Sequence, residues 1–148
     1  MLDPSAVERT PWPNGAGSTR ELAVSTGPDG STTWRVSVAD LDRDGPFSLF
    51  PELDRVFVAL GPLRLTVDGV TSPMAAGDQT SFPGEAAVSV AVDEPTTALN
   101  VMARRGRCRA EVVLRHPGED PADGADASVR LSDRVADIRL HLMTEDLA

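Results

Sequence analysis

The feature that most restricts the fold of this 148-residue chain is a series of short apolar runs of period two, each closed by Gly, Pro or Asp. In "TWRVSVADL" (residues 33–41), Trp34, Val36 and Val38 alternate with Arg35, Ser37 and Ala39. That spacing sends successive side chains to opposite faces of a strand. "RVFVAL" and "LRLTVDG" flank the turn pair Gly61-Pro62 and read as adjacent antiparallel strands. "AAGDQTSFPGE", "AAVSVAV" and "TALNVMARR" continue the series. With twelve Gly and twelve Pro as punctuation, helix has little room, and the pattern specifies an all-β sandwich, jelly roll or barrel.

The length suits one folded unit. Residues 1–115 carry the strand series, and "HPGEDPADGADAS" (residues 116–128) reads as an exposed loop. Residues 129–148 then close the fold on the same unit. There "VRLSDRVADIRLHLM" fits one or two strands, although Leu131, Val135, Ile138 and Leu142 also fit a helical stripe.

The net charge of -9 argues against nucleic acid as a partner, because such binders neutralise phosphates with basic side chains. No run of about 18 apolar residues and no basic-then-apolar leader occurs, so neither a membrane nor export is expected and the cytoplasm is the default. Cys108, the single cysteine, reads as a buried thiol and excludes an intrachain disulfide. Only His116 and His141 offer imidazole, far apart and without His-x-His spacing, so no catalytic metal, cofactor or histidine-dependent nucleophile is expected. "NGAGST" lacks the Lys of a phosphate-binding loop and reads as a tight turn. "ARRGRCRAEVVLR" holds Arg104, Arg105, Arg107, Arg109 and Arg115. It is either a solvated edge strand or a patch for an acidic partner.

The candidate ligand-binding residues come from strand parity. If Trp34, Val36 and Val38 pack one way, Arg35 and Ser37 share the other face, and Asn100, Met102 and Arg104 share one face of "ALNVMARR". Guanidinium groups with hydrogen-bonding neighbours suit a ligand carboxylate, since the planar fork makes two parallel charge-assisted bonds. The competing arrangement puts these arginines outside, paired with Glu21, Asp40 or Asp54. Trp12 either caps the core beside Trp34 or stacks on a planar ligand. Asn14 joins the candidate set, although it, Thr19 and Glu21 also suit turn and strand-edge bonding. In "GPFSLFPELDR" (residues 45–55) two prolines stiffen the segment. Phe47 and Phe50 then plug a barrel end or wall its mouth, and Asp54 and Arg55 pair locally or close the rim.

Four blocks, "WPNGAGSTRELA", "WRVSVADLDRDGPFSLFPELDR", "FPGE" and "LNVMARRG", occur in an order that resembles the HutD/Ves family across roughly residues 9–107. The resemblance implies a cupin (RmlC-like) jelly-roll barrel and a regulatory, non-catalytic role associated with histidine utilisation. Three departures stand out. Ala16 takes the second Gly position of the glycine-rich turn, Glu52 replaces the Gly of a Phe-Pro-Gly loop, and the region after Arg107 reads as a shortened second cupin-like half. Sheet edges left open by that shortening are compatible with a homodimer.

The expected function is therefore a metal-free protein that binds a small acidic metabolite of histidine breakdown, with no catalytic residue. One alternative is a metal-independent isomerase or lyase with Glu21, Asp54 or Glu85 as base. Another is an interaction module acting through Arg105, Arg107 and Arg109.

Overall fold

A computed structural model describes residues 1–143, and the last five residues assigned to the closing segment lie outside the described residues. After a short 3-10 turn (Pro4–Ala6) the elements are β1 (Thr10–Pro11), β2 (Gly17–Thr26), β3 (Thr32–Leu41), β4 (Gly45–Pro46) and β5 (Leu53–Ala59). There follow β6 (Leu63–Val67), β7 (Val70–Met74), β8 (Gln79–Pro83), β9 (Val88–Ala91) and β10 (Thr96–Arg104). The chain closes with β11 (Cys108–Arg115), β12 (Ala127–Arg130) and β13 (Val135–Leu142). The all-β expectation holds.

The strands form a six-stranded sheet of order β1-β2-β3-β10-β5-β8, a four-stranded sheet β4-β9-β6-β7 and a three-stranded sheet β11-β13-β12. The six-stranded sheet is covered on both faces. Ala39, Leu41, Phe57, Ala59 and Ala98 pack with Leu63, Leu65, Met74, Val88 and Val90 of the four-stranded sheet. Val36, Val38, Val58, Leu99 and Val101 pack with Val112, Val129, Ala136 and Ile138 of the three-stranded sheet. A strand buried on both faces loses its polar alternation. This accounts for β10, where Ala98 through Ala103 are all buried.

Two expectations are corrected and one ambiguity is resolved. β5 and β6 are not hydrogen-bonded neighbours: β5 pairs with β10 and β8, whereas β6 pairs with β7 and β9 in the other sheet. At Gly61-Pro62 the chain switches sheets, and a Cβ on Gly61 would collide with the Thr96 side chain. Trp12 does not cap the core beside Trp34, since the two rings border opposite core layers. The strand-or-helix ambiguity of the tail resolves as two strands, with β13 between β11 and β12.

Both departures from the family turns have a geometric outcome. Gly15 takes a left-handed φ of 71° and Ala16 is absent from the positive-φ residues, so Ala16 fits without strain. Glu52 does adopt φ of 70°, the region where a glycine costs nothing. The segment leading to it crosses Gly84, whose carbonyl accepts the Phe50 N–H at 2.8 Å. A Cβ on Gly84 would collide with the Phe50 carbonyl, so this crossing requires glycine.

Candidate functional site

Strand register places the candidate residues in rows across the six-stranded sheet. Arg35 on β3 lies opposite Met102 on β10, which lies opposite Arg55 on β5. The next row is Ser37, Asn100 and Phe57, and the one after it Ala39, Ala98 and Ala59. All three rows point between the six- and four-stranded sheets. The alanine row packs into the core, while the outer rows leave a cavity of about 360 Å³. Pro46 at the end of β4 and Phe47, Ser48 and Phe50 of the stiff segment that follows roof it, and Trp12, Pro13 and Asn14 form the rim.

Of the seven residues expected from sequence, Arg35, Ser37, Asn100, Met102, Trp12 and Asn14 line this cavity. Arg104 does not. It lies one residue past the last β3–β10 pair, Trp34 with Ala103, so its side chain folds over the strand end. There Nε donates to the Thr32 carbonyl at 2.7 Å and Nη1 to Glu52 at 3.2 Å. Trp12 Nε1 donates to the Thr19 hydroxyl at 2.7 Å, leaving its ring as a wall edge-on to Phe47. The Asn14 carboxamide oxygen accepts the Ala16 N–H at 2.9 Å and closes the turn.

Sequence parity missed the central group. Arg55 is only 4% exposed, and its Nη2 donates to Asn100 Oδ1 at 3.0 Å. Its Nη1 reaches the Ser48 carbonyl at 3.5 Å, a long bond, and its Nε has no partner. The guanidinium carbon lies 5.2 to 5.4 Å from the ring centres of Phe47, Phe50 and Phe82, within cation–π range. No carboxylate among the described residues pairs with it. Burial first, and then the like charge of Arg35, lowers its pKa to about 10. The available signal was parity: Arg55 stands two residues before Phe57, an inward position in "RVFVA".

Arg35 carries a looser partner. Its Nε is 2.9 Å from Glu21 Oε1, yet the N–H is buried and makes no hydrogen bond. Among the described residues the Ser37 hydroxyl and the Asn100 amide nitrogen also make none, so both remain available to the cavity. The lining thus combines two guanidiniums, the hydroxyls of Thr19, Ser37 and Ser48 and an amide N–H with the apolar surfaces of Phe47, Phe50 and Met102. Among the described residues it contains no Asp, Glu or His. That chemistry receives an anion on an apolar body.

A second cleft of about 550 Å³ is lined by Arg20, Arg130 and Arg134 together with the carboxylates Asp3, Asp40 and Asp133, and its Arg20 is held by Asp40 at 3.0 Å and by the Val7 carbonyl at 2.9 Å. The arginine-rich stretch is not one strand: Arg105 lies in the turn between β10 and β11 and grips Asp54 at 2.8 Å and Glu85 at 2.7 Å, while Arg115 at the end of β11 grips Asp137 at 2.7 Å. Arg105, followed by the Glu52 N–H, holds the Glu85 carboxyl down to about 2. Among the described residues no three His, Cys, Asp or Glu side chains converge as a metal site. No helix among them is long and apolar enough to cross a membrane.

Comparison with protein families matches residues 4–140 to HutD. The chain belongs to the HutD family. This HutD-family chain is 35% identical over 106 residues to Protein Ves of Citrobacter koseri, covering 68% of itself and 56% of that protein. It is 41% identical over 94 residues to an uncharacterized 21.2 kDa protein in the hutC 3' region of Pseudomonas putida, covering 60% of itself and 49% of that protein. It therefore spans about half the length of the curated relatives it matches. Among solved structures, HutD from Pseudomonas fluorescens SBW25 superposes with a TM-score of 0.79 at 22% identity, covering 97% of this chain and 98% of that one. An RmlC-like cupin from Shewanella frigidimarina superposes with a TM-score of 0.55 at 13% identity, covering 69% and 87%. The fold is of the cupin type.

Proposed function

We propose that this HutD-family chain is a non-catalytic receptor that binds a small carboxylate around Arg55, the ligand being an acidic intermediate of histidine breakdown, in a regulatory role. The observation that carries this reading is a buried guanidinium without a counter-ion among the described residues, facing a cavity whose other free polar groups can donate. Burying a charge unpaired is costly, and a ligand carboxylate supplies the missing partner. The link to histidine breakdown rests on family membership and on the relative in the hutC 3' region.

The lyase or isomerase alternative requires a carboxylate base in the cavity. Glu21, Asp54 and Glu85, the three considered, all lie outside its lining and are paired with arginines. The interaction-module alternative requires free arginines in the stretch after Arg104, and Arg105 is held by two carboxylates.

The test is a thermal-shift screen at neutral pH with urocanate, formiminoglutamate, formylglutamate, histidine and unrelated dicarboxylates. A ligand at about a hundred times its dissociation constant adds roughly 2.7 kcal/mol, on the order of several degrees for a domain of this size. The expected result is a selective shift with the wild type that disappears in Arg55→Met. No shift with any acid, or a shift retained by Arg55→Met, contradicts the proposal.

A further inference from the structure

Glu21 stands beside the cavity without lining it. On β2 it lies opposite Ser37, extending the row of Ser37, Asn100 and Phe57 by one strand. Immediately after it the pairing slips at a bulge, so that Ala23 and not Leu22 faces Val36. A bulge of this kind re-aims the neighbouring side chain. The Glu21 side chain is 49% exposed and reaches in from the rim to Arg35, Oε1 to Nε at 2.9 Å, without accepting that buried N–H.

Two guanidiniums therefore face the cavity with unequal charge balance. Among the described residues Arg55 has no anion, whereas Arg35 has one that is half in solvent and imperfectly bonded. A ligand with one carboxylate completes Arg55. A second carboxylate on the same ligand reaches Arg35 only by displacing Glu21 or by tolerating a like charge beside it. Repulsive elements of this sort set specificity as effectively as attractive ones.

We infer that Glu21 is a specificity-determining residue: a rival carboxylate within the protein that holds Arg35 and biases the cavity toward monocarboxylates over dicarboxylates. The inference rests on the carboxylate-receptor reading above.

The experiment is calorimetric titration of the wild type and Glu21→Gln with butanoate and glutarate at neutral pH and fixed ionic strength. Glu21→Gln is expected to tighten glutarate about two- to fivefold more than butanoate, the range for releasing a half-exposed ion pair. Adding Arg35→Met is expected to erase that difference, which a merely structural role for Glu21 would not produce. Equal changes for the two acids, or no change, overturn the role of Glu21 while Arg55-dependent binding by the wild type leaves the receptor reading intact. Absence of binding by either acid to either protein overturns both.

Discussion

Arg55 stays protonated at neutral pH even though burial and Arg35 bring its pKa down to about 10, so the cavity keeps its cation where ligands would meet it. Because the folded pKa lies below that of a free guanidinium, the charge is a cost of folding that is full below about pH 10, begins to shrink there, and is gone only above the pKa of the free group. Carboxylate binding is accordingly expected to hold from pH 6 to 9 and to weaken above 10, as read by titration across that range. Replacing a buried unpaired cation with an apolar side chain is neutral or favourable. Arg55→Met should leave the ligand-free protein as stable or up to about 2 kcal/mol more stable in urea unfolding. A large destabilisation would mean that the aromatic contacts alone offset the burial. Glu52 poses the opposite problem, a side chain at φ of 70° with its carboxylate in solvent near Arg104. Glu52→Gly should raise stability by about 1 kcal/mol, since the left-handed backbone costs roughly that much for a residue with a Cβ.

A buried side chain of the three-stranded sheet fastens the loop between β11 and β12. Asp137 accepts from Arg115 at 2.7 Å, Ser128 at 2.7 Å and the Ala122 N–H at 2.9 Å. Burial alone would raise its carboxyl, but the bonds from Ser128, Ala122 and Arg115 outweigh burial and hold it below the usual range. A depressed folded pKa contributes stability that is complete above the unfolded value of about 3.9 and is lost as pH falls through the folded one. Asp137→Asn should cost about 3 kcal/mol by leaving Arg115 buried without its partner. Hydrogen exchange should then rise in β12 and β13 before it rises in β10; uniform exchange across the protein would show that the sheets do not open separately. At this scale the sequence was informative where the signal is local. Period two placed Arg35, Ser37, Asn100 and Met102 on one face, because side-chain direction depends only on neighbouring residues. It did not exclude Arg104, because the cavity ends where the β3–β10 pairing ends, and how far two strands pair is not written in the alternation of either.

In the whole molecule, the six-stranded sheet has a core on each face, and the functional candidate lies where the first of those cores is left unfilled. The partner of each strand was less legible than its identity. Gly61-Pro62 has the composition of a hairpin turn, and only the approach of Thr96 reveals a change of sheet. Arg55 reads from sequence as a local partner of Asp54 or a closer of the rim, whereas it is buried at the centre of the cavity and Asp54 is gripped by Arg105 from the turn after β10. Family blocks located the roof over the cavity, and the three-dimensional register showed what it covers. The central claim is that a carboxylate completes the Arg55 guanidinium. The most direct measurement is nuclear magnetic resonance of the Arg55 Nε–H during titration with a carboxylate and with the uncharged amide of the same shape. The account predicts a saturable change of that resonance with the acid and none with the amide. An Arg55 signal that stays fixed while the protein binds the acid, or that moves equally with both compounds, would contradict it.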